Sequence, residues 1–117
     1  MDGEWRLAQI LEDDPQVIRW MKPAPGQFRI EYQNGQNYEP DFIVETQNDY
    51  LMIEPKRADQ IDLVDTQDKA RAAERWCGYA NEHAKINGGK CWVYLLVPDD
   101  QIRLGNSLTW LRNSFTY

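Results

Sequence analysis

Histidine occurs once in this chain, at His83, and cysteine twice, at Cys77 and Cys91. The lone histidine reads as a helix-end residue and completes no recognisable serine or cysteine nucleophile motif. The two cysteines lack metal-ligand spacing and read as reduced, largely buried thiols of an intracellular protein. Positive charge is also short. Thirteen Lys and Arg stand against nineteen Asp and Glu, a net charge of -6, which excludes a module that holds nucleic acid by charge alone. It leaves room for an acidic catalytic centre. Long apolar runs are missing. The longest, Trp92 to Pro98, is far too short to span a bilayer, and the N-terminus is acidic, unlike a signal peptide. A cytoplasmic protein with no membrane partner is expected. Gly88-Gly89-Lys90 lacks the upstream glycine and following hydroxyl of a phosphate loop, so no nucleotide site is expected. Repeats and low-complexity tracts are absent.

At 117 residues the chain reads as a single domain, 1–117, able to bury one core without disulfides. Five tryptophans supply large pieces of that core. Trp5, Leu7, Ala8, Ile10 and Leu11 predict an amphipathic helix over 3–13, closed by Pro15. Residues 16–21 fit either a short strand or a helical turn. Pro23, Pro25 and Gly26 make a loop. Phe28, Ile30 and Tyr32 alternate as a half-buried strand, and Asn34-Gly35 marks a hairpin. The chain returns over 38–45, turns at 47–49 and runs through a third strand over 50–56, as an antiparallel meander. A helix capped at Asp65 or Thr66 follows to about His83, with Ala70, Ala73, Trp76, Cys77 and Ala80 on one face. Gly88-Gly89 stops it. Trp92 to Val97 reads as a buried fourth strand, parallel to the third. A short helix capped at Asn106 or Ser107 ends the chain. The order helix, three strands, helix, strand, helix is an α/β layout with a mixed four-stranded sheet flanked by helices.

Chemistry concentrates in Tyr38-Glu39-Pro40-Asp41-Phe42-Ile43-Val44 and Tyr50-Leu51-Met52-Ile53-Glu54-Pro55-Lys56. Strand side chains alternate, so Glu54 and Lys56 share a face, about 6–7 Å apart. If the first run lies beside the second, Asp41 meets Glu54. Paired carboxylates beside a lysine are costly unless a cation joins them, and hard divalent cations such as Mg²⁺ take oxygen ligands. A Glu54–Lys56 salt bridge at a strand end is the bland reading; it leaves Asp41 unexplained. Pro55 cannot donate to a ladder and marks an edge or a bulge, but its carbonyl is free.

Pro-Asp followed by Glu-x-Lys is the PD-(D/E)xK nuclease pattern, and the surrounding chain resembles the C-terminal endonuclease domain of the restriction subunit of type III restriction-modification enzymes. The resemblance rests on Phe28-Arg29-Ile30 with Tyr32, on 38–46, on 50–57, on Lys69-Ala70 with Ala72-Ala73, on Trp76-Cys77, and on Gly88 to Pro98. It implies a restriction-endonuclease-like core and Mg²⁺-dependent (or Mn²⁺-dependent) cleavage of DNA. Asp41, Glu54 and Lys56 would be catalytic. Asp41, Glu54 and the Pro55 carbonyl would hold the metal, with Glu4 of the first helix as a further ligand. Gln67 and Lys69 are candidates to face the substrate. The implied partners are DNA, a helicase-like motor in a larger protein, a methyltransferase subunit that reads sequence, and a second copy in transient pairing. The alternative is an inactive module on the same fold, serving assembly or docking.

Overall fold

Leu7, Ile10 and Leu11 recur at helical spacing and are buried along helix α1 (Asp2–Asp13). The computed structural model describes residues 2–117. Strand β1 (Val17–Met21) follows, then the hairpin β2 (Ile30–Gln33) and β3 (Gln36–Tyr38), then β4 (Phe42–Thr46) and β5 (Asp49–Lys56). Helix α2 (Val64–Asn87), strand β6 (Cys91–Pro98) and helix α3 (Leu108–Phe115) complete the chain, with short 3-10 turns at Ala58–Gln60 and Asp99–Gln101.

The architecture is α/β, with a mixed four-stranded sheet in the order β1-β4-β5-β6 and a separate two-stranded sheet of β2 and β3. β4 is antiparallel to β1 and β5, while β5 and β6 run parallel. The expected meander is corrected here. Residues 38–45 do not form one strand, and Phe28–Tyr32 is not in the main sheet. Asn34 and Gly35 adopt φ of 43° and 80°, the left-handed pair that closes a two-residue hairpin. The chain therefore turns back at Gln36 and pairs Ile30 with Tyr38. Pro40, unable to donate to a ladder, separates that short strand from β4. The vacated place in the main sheet goes to Val17–Met21, the segment that read as strand or helix. The observed order is thus helix, five strands, helix, strand, helix.

Both faces of the sheet are covered. Leu7, Leu11, Leu108 and Leu111 of α1 and α3 bury Phe42, Val44, Leu51, Ile53, Leu95 and Val97. On the other face Ala70, Ala73 and Cys77 of α2, with Ile30 and Tyr38 of the hairpin, cover Met52, Tyr94 and Leu96. Small residues let α2 sit close. Its ends differ from expectation: Leu63 occupies the N-cap with no side-chain cap, and the helix continues to Asn87, where Gly88 at φ 79° stops it. Asp65 is spent instead on Lys69, at 3.1 Å. Cys91, expected to be buried, is exposed at the first residue of β6, whereas Cys77 is buried. Ser107 caps α3, accepting from the Trp110 amide at 3.1 Å. Among the described residues no helix is long and apolar enough to cross a membrane.

One partly buried ion pair ties the far end of the sheet to α3. Asp49 is 6% exposed and accepts from the Arg112 guanidinium through both oxygens and from the Thr46 hydroxyl at 2.6 Å. Removing one partner leaves a buried charge unpaired. Arg112→Ala is therefore expected to destabilise the protein by about 2–3 kcal/mol, read as a lower denaturation midpoint. A change under about 0.5 kcal/mol, the range of ordinary surface substitutions, would show that the pair is not structural.

Candidate active site

The site lies where β4 begins and β5 ends. Leu51 and Ile53 point toward α1, so Glu54 and Lys56, out of phase with them, share the α2 face with Met52. Asp41 has the same parity as Ile43, which also packs on that face. The register pairs Phe42 with Ile53 and brings Asp41 against Glu54: the Asp41 amide donates to Glu54 Oε1 at 3.1 Å. The Tyr38 hydroxyl donates to the same oxygen at 2.6 Å. Tyr38 and Tyr94 hydroxyls are 3.0 Å apart, so a short polar chain runs from Glu54 into the second core.

The electrostatics reflect this crowding. Burial, and then the negative charge of Asp41, push the Glu54 carboxyl up to about 8. Hydrogen bonds from Tyr38 and the Asp41 amide, with the Lys56 charge, pull the other way. Asp41 is raised too, by burial first and by Glu4 second, against Lys22 and Lys56. Tyr38 and Tyr94 are raised by burial and by Glu54, which keeps both as hydroxyl donors.

Three of the expected residues therefore converge: Asp41, Glu54 and Lys56. Glu4 is at the margin, close enough for its charge to act on Asp41. It is ion-paired with Lys22 and borders a small cleft with Pro55, Lys56 and Arg57. Pro55 is buried near the end of β5, past the last residue that β4 pairs, so it stands at a local edge of the strand with no bulge. It pairs in register with Val97 of β6, while the pairing with β4 has already ended at Ile53. A missing donor is tolerated where the strand has lost one neighbour. Gln67 is engaged at both ends: its amide nitrogen donates to the Ile61 carbonyl at 2.8 Å, and its oxygen accepts from the Tyr117 hydroxyl at 2.7 Å. Lys69 lies over the Tyr32 ring at 5.5 Å and lines a cavity of about 150 Å³ with Glu54, Lys56, Tyr38 and Thr66.

The chain matches no protein-family model, no curated protein and no solved structure. What the site can do rests on its own geometry. Among the described residues no three His, Cys, Asp or Glu side chains are already gathered to hold a metal. The donors in place are the oxygens of Asp41 and Glu54, with Glu4 turned to Lys22. Such hard oxygen donors suit Mg²⁺ or Mn²⁺ and not a soft metal. A carboxyl raised by a neighbouring carboxylate is also the state that a cation relieves.

Sequence reasoning missed Tyr38, Tyr94 and Lys22. Tyr38 sits inside the quoted motif, where its strand position gives no sign of a polar role. Tyr94 is opposite Met52 in the parallel register, which places it beneath Glu54; that signal appears only once β6 is aligned with β5. Lys22 follows a strand that sequence left ambiguous and gave no signal.

Proposed function

We propose that this chain is a restriction-endonuclease-like nuclease domain that hydrolyses phosphodiester bonds of DNA with Mg²⁺ or Mn²⁺, as the resemblance to type III restriction subunits implies. The observation that carries the reading is Asp41 brought against Glu54 at a half-buried strand end, where burial first and then a neighbouring carboxylate (Asp41 for Glu54, Glu4 for Asp41) raise both carboxyl groups. A structural carboxylate gains nothing from such a neighbour.

Asp41 and Glu54 would hold the metal, joined by the Pro55 carbonyl, and Glu4 would join on leaving Lys22. The metal, when bound, supplies Lewis acidity at the phosphate and a more acidic water. Lys56 makes no ion pair among the described residues, so its ammonium is available to orient the attacking water and to offset charge on the phosphate oxygens. Tyr38, fixed by Tyr94, holds the Glu54 carboxylate in one orientation. With a net charge of -6, this reading looks to other chain segments for most of the grip on DNA. A motor domain, a recognition subunit and transient pairing for double-strand cuts are the partners this reading requires.

An inactive docking module on the same fold would show Glu54 paired to Lys56, Asp41 turned away and a large apolar patch on the outside. No Glu54–Lys56 ion pair is present among the described residues and Asp41 meets Glu54, while exposed apolar side chains include Trp5, Ile18, Leu63 and Val64. Calorimetric titration tests the reading. Mg²⁺ or Mn²⁺ is expected to bind the wild type, and Asp41→Asn or Glu54→Gln to weaken that binding at least about tenfold, the loss that even an outer-shell ligand produces. Equal heats from all three proteins would remove the metal site and the function with it.

A further inference from the structure

Thr66, the third residue of α2, is only 7% exposed. Its hydroxyl bonds to no group among the described residues. No fully buried side-chain oxygen among them is left without a partner, so this hydroxyl opens onto the cavity that Thr66 lines. Lys69, one helical turn on, and Lys56 at the end of β5 line the same cavity. Leu63 gives α2 no side-chain cap, so the amides of Val64, Asp65 and Thr66 have no acceptor within the helix and the positive end of its dipole stands beside the cavity. An unpartnered donor, two ammonium groups and uncapped amides form an anion site.

The opposing charges set which anion. Glu39 borders the cavity and accepts from the Gly26 amide, Asp65 holds Lys69, and Glu54 closes the side toward Asp41. With Lys69 shared with Asp65, Lys56 is the one ammonium of the cavity with no ion pair among the described residues, which suits a group of charge -1 and not a terminal phosphate near -2. At about 150 Å³ the space is several times the ~30 Å³ share of one water. Because Glu54 and Lys56 line it, whatever sits there adjoins the reacting phosphate.

We propose that this cavity seats the phosphodiester next to the one that is cut, bound by Lys69, the Thr66 hydroxyl and the first-turn amides of α2. The inference rests on the nuclease reading for its ligand, and it makes Thr66 and Lys69 binding residues, with no part in the chemical step.

The test uses thymidylyl-(3′→5′)-thymidine, which carries one internal phosphodiester, without added metal, followed by amide NMR shifts and calorimetry. Thymidine 5′-monophosphate is the second arm. The dinucleotide is expected to shift the Val64, Asp65 and Thr66 amides and to bind more tightly than the monophosphate. Thr66→Val and Lys69→Gln should each weaken it about five- to tenfold, the share of one good hydrogen bond, and Thr66→Ser should bind as the wild type does. Equal binding to Thr66→Val and Lys69→Gln, shifts elsewhere, or tighter binding of the monophosphate would overturn the inference. Lys69 lies on the outer part of α2, so its variant reports even if Thr66→Val fails to fold. The two readings fail separately. A protein that binds the dinucleotide here but no metal at Asp41 and Glu54 loses only the nuclease. One that cuts DNA with an unchanged KM in both variants loses only the subsite.

Discussion

Lys56→Ala is expected to lower metal-dependent cleavage of plasmid DNA by about 10²–10⁴-fold while leaving fold and metal affinity close to wild type. Lys56 ends β5 on the face of Glu54, and its charge already acts on both Glu54 and Asp41. No acidic side chain among the described residues ties it down, so the ammonium is free to meet a phosphate oxygen or a water. Half-buried at a strand end, it packs little apolar surface, and its truncation leaves the cores intact. Asp41→Asn should abolish cleavage as strongly but by a different route, since it also weakens the metal. The two variants thus separate in titration while agreeing in the gel. Cleavage that survives both substitutions would show that the nicking belongs to a contaminant or to another centre, and the assignment of these residues would fall.

The parts of this arrangement differ in how far the chain itself reveals them. β4 and β5 were legible because Phe42-Ile43-Val44 and Leu51-Met52-Ile53 are apolar on both faces, as central strands must be. Asp41 and Glu54 could be placed together because a hairpin leaves few registers once the turn at Gln47-Asn48 is fixed. The stretch before them was not legible. Asn34-Gly35 announced a hairpin, but nothing local says that its strands leave the main sheet. Only Pro40 marks the break, and a proline beside an acidic motif reads equally well as part of the motif. The edge place of Val17–Met21 is a tertiary choice: Trp20 reaches Phe42, a contact no window of neighbouring residues contains. Likewise Asp65 looked like a cap, yet it is drawn off by Lys69 and the Tyr32 hydroxyl, and α2 starts without one. Tyr38 and Tyr94 are far apart in the chain, so their joint hold on Glu54 exists only in the folded sheet.

The metal-free protein should lose stability as pH rises from about 5 to 8, the reverse of an ordinary salt-bridged carboxylate. The Glu54 carboxyl titrates near 4.5 when free and near 8 when folded. Between those values the native state keeps a proton that the unfolded chain has released, so rising pH favours unfolding, and the effect levels off above 8. At about 1.4 kcal/mol per pH step the full displacement is worth roughly 5 kcal/mol; Glu54 is half-buried, and water relaxation at its exposed edge brings the expectation to about 2–3 kcal/mol. Asp41, raised in the same direction, adds to the slope. Glu45 and Asp65 are lowered, and their opposite contribution is complete below pH 5. Tyr38, Tyr94 and Cys77 are displaced upward from values of 9.0 or 10.0, and so act only at higher pH. Glu54 thus dominates the window. Denaturant unfolding at pH 5, 6.5 and 8 measures it, and Glu54→Gln, neutral throughout, should flatten most of the slope and be the more stable protein at pH 8. Mg²⁺ should act oppositely to the proton: it binds the ionised pair, so its stabilisation of the wild type is greatest at pH 8, smallest at pH 5 and reduced at every pH in Glu54→Gln. A wild type whose stability is flat across this range, with or without Mg²⁺, would mean that Glu54 is already ionised and compensated by protein charges alone, and the site would then have no need of a metal.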